Sequence, residues 1–322
     1  MTPRAIRTGL LSTLLLGTAI ALTGCGDKSA TQDNQAPADA ATTETAEKVD
    51  PAKMTQYSTP GQTDADHLWL EEVEGEKALE QVMAWNAVSA DKMKTETYKA
   101  MKSELLEVYN SPEKIPYISY RKGMAHNFWQ DDKNVKGIWR RTSLVSYKKE
   151  KPKWQTILDI DTLSKAEGKN WVFKGSSCFA PAYNSCIVSL SDGGKDATER
   201  REFEVGTKSF IKDGFNLPES KGGTAWLSKN RLIVGVDFGE GTLTDSGYPM
   251  VSKLWTRGKP LSEARELMRG EKTDVGVWSG TIDNAKGRPE ILITRAITFY
   301  TSEYFWIPVR GKNAFKPIQL PV

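Results

Sequence analysis

Between Glu167 and Val322 the sequence repeats a strand-turn-strand pattern at intervals of about fifty residues, a period that few folds can accommodate. Three apolar openings mark it: Trp171-Val172-Phe173, Thr224-Ala225-Trp226 and Val275-Gly276-Val277-Trp278. A unit of ~40–50 residues holding several short strands cannot bury its own sheet faces, so successive units must stack, as the blades of a β-propeller do. The expected fold is therefore mainly β: an incomplete, about four-bladed propeller over residues 113–322. The first blade takes Tyr117–Arg121, Ala125–Gln130, Ile138–Tyr147 and Gln155–Asp161. The second takes Val172–Ser177, Cys186–Ser191, Arg200–Val205 and Phe210–Phe215. The third takes Thr224–Leu227, Arg231–Asp237, Val251–Thr256 and Glu266–Arg269, and the fourth Val277–Ile282, Ile291–Phe299, Tyr304–Val309 and Phe315–Leu320. Turn formers punctuate the strands at Ser191-Asp192-Gly193-Gly194, Val205-Gly206-Thr207-Lys208, Arg257-Gly258-Lys259-Pro260 and Val309-Arg310-Gly311-Lys312.

The amino-terminal end has a different character. Arg4 and Arg7 precede an apolar run from Leu10 to Leu22, which is shorter than the ~20 residues a spanning helix needs and has the form of a signal-peptide core. It ends in Leu22-Thr23-Gly24-Cys25, which resembles the lipobox of bacterial lipoproteins. That resemblance implies cleavage after residue 24, acylation of Cys25 and a lipid-anchored protein of the cell envelope facing the periplasm. Residues 25–63 are rich in Ala, Thr, Asp, Glu, Gln and Pro, a composition with too little apolar surface to offset the entropy of ordering, so a disordered tether is expected there.

Without Arg4 and Arg7 the 44 basic residues fall to 42, against 41 acidic ones. A balance so close to neutral offers no phosphate-binding face, and no nucleic-acid partner is expected. Of the three cysteines, Cys178 and Cys186 remain beyond Cys25 and flank the loop-forming stretch Phe179–Ser185. Opposed across a hairpin in an oxidising compartment, they are placed for a disulfide, which in the chain-entropy model stabilises by roughly 2–3 kcal/mol. Their spacing does not suit a metal or redox pair.

Residues 64–112 read as helical. Leu79, Val82 and Met83 form one apolar stripe over 76–88, and Tyr98, Met101, Leu105 and Val108 another over 95–109, with Pro112 ending the second helix. A propeller by itself does not account for such a hairpin, which needs a surface to pack on. Trp129, Trp139, Trp226, Trp255, Trp278 and Trp306 recur with the blade period, which suits packing between sheets better than a ligand cage.

Asp66-His67-Leu68-Trp69-Leu70-Glu71-Glu72, followed by a helix ending Ala84-Trp85-Asn86, resembles the amino-terminal signature of prolyl oligopeptidases. Tyr109-Asn110-Ser111-Pro112 leading into Ile115–Tyr120 is similar to their passage from helix into the first blade. Ser189–Asp196 resembles a turn of their second blade, and Thr244–Pro249 a motif of an exported bacterial branch. The resemblance runs from residue 64 to 322. It implies a seven-bladed propeller acting as a size filter for peptides, and a carboxy-terminal α/β-hydrolase domain, wrapped by the amino-terminal helices, that carries a catalytic serine, aspartate and histidine.

The chain departs from that pattern. No Gly-x-Ser-x-Gly elbow occurs; Asp245-Ser246-Gly247 lacks the first glycine, and neither His67 nor His126 stands where the family keeps its catalytic histidine. No catalytic residue is carried over. Gly239-Glu240-Gly241 lacks the rest of a dinucleotide fingerprint, and Asp159-Ile160-Asp161 the rest of a calcium loop, so the latter is read as a solvated strand end. Glu71-Glu72 and Lys148-Lys149-Glu150-Lys151 read as solvated, and no metal or cofactor is expected. The expected function is the propeller portion of a prolyl-oligopeptidase-like serine peptidase, inactive alone. A truncated gene product, one half of a split enzyme with a separately encoded hydrolase partner, and a membrane-tethered binding scaffold all remain open. Self-association through uncovered apolar faces is a further expectation.

Overall fold

The computed structural model describes residues 63–321, Val73 excepted. The expected signal peptide, Cys25 and most of the expected tether lie outside the described residues. Contacts divide the chain into two compact units, Met1–Ala84 and Trp85–Val322.

In the first unit, a 3-10 helix spans Asp64–Glu71 and leads into α1, Glu76–Met93, which crosses the unit boundary. The Trp69 indole donates to the Asp66 carbonyl at 2.9 Å and takes the Lys77 ammonium over its face at 4.1 Å. Leu79, Val82 and Met83 on the α1 stripe are exposed.

The second unit continues with α2, Glu96–Asn110, started by Thr95, whose hydroxyl accepts from the Tyr98 amide. Tyr98, Met101, Leu105 and Val108 are exposed along it. Four antiparallel sheets follow among the described residues, each a meander in chain order. The first has β1 (Ser119–Arg121), β2 (Met124–Trp129), β3 (Ile138–Ser143) and β4 (Gln155–Asp159). The second has β5 (Trp171–Cys178), β6 (Ser185–Asp192), β7 (Thr198–Glu204), β8 (Ser209–Phe210) and β9 (Asn216–Ser220), with β8 and β9 both pairing with β7. The third has β10 (Gly223–Ser228), β11 (Arg231–Gly235), β12 (Val251–Thr256) and β13 (Arg265–Arg269). The fourth has β14 (Gly276–Asp283), β15 (Pro289–Ala296), β16 (Ser302–Ile307) and β17 (Ile318–Gln319).

Two helices replace expected strand. The third strand of the first sheet stops at Ser143, whose hydroxyl accepts from the Ser146 amide and starts α3, Leu144–Tyr147. After β4, Asp159 caps α4, Ile160–Glu167, by accepting from the Thr162 amide at 2.9 Å, and Gly168 closes it at φ 64°. The Asp161 carboxylate accepts the amides of Lys136 and Gly137. Asp159 and Asp161 therefore organise a helix start and the turn beside it, which corrects their reading as a solvated strand end. The expected strand Phe210–Phe215 is also corrected: the chain turns after Phe210, and Asn216–Ser220 returns to β7.

Successive sheets pack through three apolar clusters. Trp139, Ile157 and Ile160 meet Trp171, Val188 and Phe203 between the first and second sheets. Ile187, Phe215 and Leu217 meet Trp226, Leu232 and Trp255 between the second and third. Leu227, Ile233 and Leu254 meet Val277, Ile291 and Ile307 between the third and fourth. Side chains alternate across a strand, so a run such as Leu232-Ile233-Val234 supplies the sheets on both sides.

The second seam also buries charge. Glu202, 1% exposed, accepts both Arg257 guanidinium nitrogens at 2.8 and 2.7 Å and the Phe215 amide at 2.9 Å. Removing one partner of a buried pair strands the other charge. Arg257→Met is therefore expected to destabilise by about 3–5 kcal/mol, read as a fall in the urea midpoint with an unchanged slope. Arg257→Met with Glu202→Leu should recover most of that loss, and a double variant no better than the single one would refute this account of the pair.

Candidate functional site

The first strands of the four sheets lie side by side and form one surface of the second unit. From β1, the Arg121 guanidinium reaches Ser176 of β5, donating to its carbonyl at 3.2 Å and its hydroxyl at 3.3 Å. From β10, the Trp226 indole donates to the Ser177 carbonyl of β5 at 2.9 Å. β10 and β14 pack directly, and Ser252 of β12 shares a 2.6 Å hydroxyl hydrogen bond with Ser279 of β14. Tyr120, Lys174, Ser177, Trp278 and Ile282 are exposed along these strands. In a propeller the first strands line the axial channel, so this is the surface a passing ligand would meet.

The Cys178–Cys186 disulfide closes the hairpin between β5 and β6, where the two residues stand directly opposite each other in register. The loop it encloses comes off the end of β5, so the bond fixes one end of the channel surface.

A cleft of about 1070 Å³ lies between the end of α2, the segment that follows it and β2, lined by Tyr109, Tyr117, Phe128 and Trp129. Arg140 is held between the faces of Trp129 and Trp154 at 4.1 and 4.3 Å and donates to the Asn127 side chain. Burial pushes its pKa down to about 10, so the guanidinium stays charged. Burial raises Asp131, but hydrogen bonds from Trp129, Asn134 and Lys133 outweigh that and hold it down at about 2.

The tryptophans divide. Trp139, Trp226 and Trp255 are buried in the seams between sheets. Trp129 carries Arg140, and Trp278, 37% exposed, stands edge-on to Tyr248 at 5.3 Å. Core packing therefore accounts for three of the six tryptophans singled out in the sequence, and not for Trp129, Trp278 or the half-buried Trp306.

Ser246 lies exposed in the loop after β11, where its carbonyl accepts from the Lys221 ammonium at 3.5 Å and neighbouring Asp245 pairs with Lys272 at 3.2 Å. His126 sits in β2, buried against Trp139 with ring centroids 5.8 Å apart, and its Nδ1 has no hydrogen-bond partner. Among the described residues no hydrogen bond joins His126 to a serine or a carboxylate. His67 belongs to the first unit's 3-10 helix, with Glu71 and Glu72 exposed at its end. Gly239-Glu240-Gly241 forms a surface turn after β11, and residues 148–151 an exposed turn. Among the described residues, no three His, Cys, Asp or Glu side chains gather as a metal site would require.

Burial pushes His126 down to about 4, and the nearby charges of Arg121 and Arg141 add to the shift. The unfolded chain then binds a proton that the folded chain refuses between about pH 6.5 and 4, so stability is full above that window and falls as pH drops through it. His126→Phe should flatten the stability-pH curve in this window and leave in place the loss at lower pH, where carboxylates such as Asp131 take up protons. Urea melts at half-unit pH steps test this, and an unchanged slope in the variant would remove His126 as the cause.

The arrangement of sheets and helices has known counterparts. The family model described as the prolyl oligopeptidase N-terminal β-propeller domain matches residues 49–320. A Sinorhizobium fredii protein named uncharacterized peptidase y4nA is 39% identical over 257 residues, which is 79% of this chain and 35% of that protein. A Rickettsia prowazekii protein, uncharacterized peptidase RP174, is 31% identical over 259 residues, 76% of this chain and 35% of that protein. Among solved structures, a post-proline cleaving enzyme from Rickettsia typhi superposes with a TM-score of 0.74 at 31% identity, covering 81% of this chain and 39% of the enzyme. Oligopeptidase B from Leishmania major, at 13% identity and a TM-score of 0.56 over 77% of this chain and 33% of its own, shares the fold. The chain thus spans about a third of the length of the curated relatives it matches. With a family model spanning nearly all of the described residues and four meander sheets packed in series, the chain belongs to the prolyl oligopeptidase family, in which it corresponds to the N-terminal β-propeller domain.

Proposed function

We propose that this chain is the substrate-gating part of a prolyl-oligopeptidase-type serine peptidase. In this reading its propeller admits short, often proline-containing peptides and turns away folded proteins, while a hydrolase domain outside these residues cuts them. One observation carries it: the continuous surface of first strands β1, β5, β10 and β14, in which Arg121 and Trp226 tie β1 and β10 to β5, β14 packs on β10, and Ser279 of β14 is held by Ser252 of β12. A wall cross-linked at its channel side keeps a fixed aperture, which is what a size filter needs. Acyl transfer requires a nucleophile, a base held against it and an oxyanion hole. Ser246 on an exposed loop and His126 sealed against Trp139 supply no such set, so the chain by itself is inactive in this reading. The hydrolase arrives either as a separately encoded partner or in another part of a longer protein, and the exposed stripes of α1 and α2 favour association with it or with a second copy.

Residues 1–24 then direct export, and acylated Cys25 holds the module on the envelope with its body in the periplasm. More than one acyl chain is needed for stable anchoring, which the lipobox chemistry provides.

Two measurements test this reading. The purified chain should hydrolyse a proline-containing chromogenic peptide no faster than its Ser246→Ala variant. Turnover that follows the protein through purification and is lost in that variant would end the gating-only reading. Expressed in a bacterium fed a clickable palmitate analogue, the chain should take up label and fractionate with membranes. Cys25→Ala should lose both properties, and label retained in that variant would refute the anchor.

A further inference from the structure

Among the described residues Arg200 is the arginine that is buried outright, and no acid meets it. Arg257 is matched by Glu202, Arg295 by Asp274 and Arg201 by Glu167, each through paired hydrogen bonds. Arg200 is 5% exposed, and its guanidinium meets only carbonyl oxygens: Thr198 and Ser220 at 3.2 Å, and Gly222. Among the described residues no carboxylate lies within ion-pair distance of it. Carbonyls satisfy donors but leave the charge uncancelled, and a desolvated cation without a counter-charge is costly. Burial accordingly pushes Arg200 down to about 10.

A second, separate observation lies two residues away on the same face of β7. Thr198 Oγ1 is buried, with Thr198 5% exposed, and has no hydrogen-bond partner. Ser220, opposite Thr198 in register, also has an unpartnered hydroxyl. A buried hydroxyl left unmatched is a lost hydrogen bond unless something else fills it.

Both Arg200 and Thr198 line a cleft of about 370 Å³ between the second and third sheets, at the channel side. Lys174 and Ser177 of β5 bring a further cation and a hydroxyl to its rim, and Lys174 Nζ is engaged only by the Gly194 carbonyl. Gly222 and Gly223 form the opposite rim with bare backbone, and a side chain added at Gly223 would meet nothing within 4 Å. Asp196 lines the same cleft, so its charge cancels one of the two cations and leaves a net single positive charge, which one negative charge matches and a dianion exceeds.

We propose that this cleft binds the free C-terminal carboxylate of a short peptide, with Arg200 and Lys174 supplying the charge and Thr198 the hydroxyl donor. A cavity of a few hundred Å³ with a few convergent polar groups suits the end of a chain rather than its middle. The inference rests on the gating reading only for the source of the carboxylate; the binding chemistry is independent of turnover. It makes the gate selective for a chemical end as well as for size.

The test is a calorimetric titration of the full chain with N-acetyl-Ala-Pro-Ala as the free acid and as the C-terminal amide, with acetate and inorganic phosphate as competitors. The acid should bind at least tenfold more tightly than the amide, acetate should displace it, and phosphate should compete no better than acetate. Lys174→Ala, on an exposed side chain, and Thr198→Val, which keeps the shape and removes the orphan hydroxyl, should each raise Kd severalfold while the thermal melt holds or rises. Equal binding of acid and amide, or no binding of either, would overturn the proposal. Acetate binding as tightly as the peptide acid would reassign the cleft to small free anions, and phosphate outcompeting acetate would refute the single-charge argument. Wild-type Kd in both variants would place any binding outside this cleft and overturn the proposal. Turnover is not read, so these outcomes stand apart from those that test the gate itself.

Discussion

A four-stranded meander has two faces, and the two middle sheets of this chain are apolar on both. That requirement organises the molecule. Residues next to each other in sequence serve opposite seams: Ile187 faces the third sheet and Val188 the first, Trp226 the second sheet and Leu227 the fourth, Trp255 the second and Leu254 the fourth. Fully burying one such side chain contributes about 1.5–3 kcal/mol, so each seam holds its sheets more strongly than any single hydrogen bond in it. A blade is therefore stable in company and not alone, and the fifty-residue period follows from what one meander needs to reach its neighbour.

Apolar contact is not directional, and the seams need a second kind of interaction to fix how one sheet is rotated on the next. The Glu202–Arg257 pair does this between the second and third sheets, where Glu202 also accepts the Phe215 amide and so pins the chain where it enters β9. Arg121 does it between the first and second, through the Ser176 carbonyl. The hydroxyl pair Ser252–Ser279 does it between the third and fourth, a neutral and shorter-reaching tie. Of these contacts, Arg121–Ser176 joins two first strands and so bears directly on the channel surface, Ser279 brings β14 to the third strand of its neighbour, and Glu202–Arg257 lies among third strands, away from the channel side.

The blade rhythm was legible in the sequence because two-sided burial writes continuous apolar runs, and Val251–Thr256 occupies the same residues in both readings. What escaped was local capping. Ser143 and Asp159 each stand inside a strand-like stretch, and the residues after them simply look like more strand unless the cap is weighed. Gly168, at the far end of α4, was the available signal. Asp213-Gly214 likewise announced the turn that breaks the expected strand Phe210–Phe215. The tryptophan period suggested uniform core packing, yet Trp129 and Trp278 stand at surfaces where their rings meet Arg140 and Tyr248. Recurrence in sequence marks the strand position and leaves open which end of the strand is covered.

The stretch Glu199-Arg200-Arg201-Glu202 shows why the candidate site was the least legible part. In sequence it is an unbroken run of four charges with the composition of a solvated turn. In β7 the period of two sends Glu199 and Arg201 to one face, and Arg200 and Glu202 to the other. Arg201 finds Glu167 and the Trp171 ring on its side. Glu202 finds Arg257 on the other side, and Arg200, pointing the same way, finds only carbonyls. The two arginines share composition, hydropathy and immediate neighbours. They differ in which sheet they meet, and that depends on residues 34 positions before one and 55 positions after the other's neighbour. A charge that a fold buries without cancelling cannot be told from one it cancels until the partner strand is known, which is why chemistry of this kind appears only after the blades have been stacked.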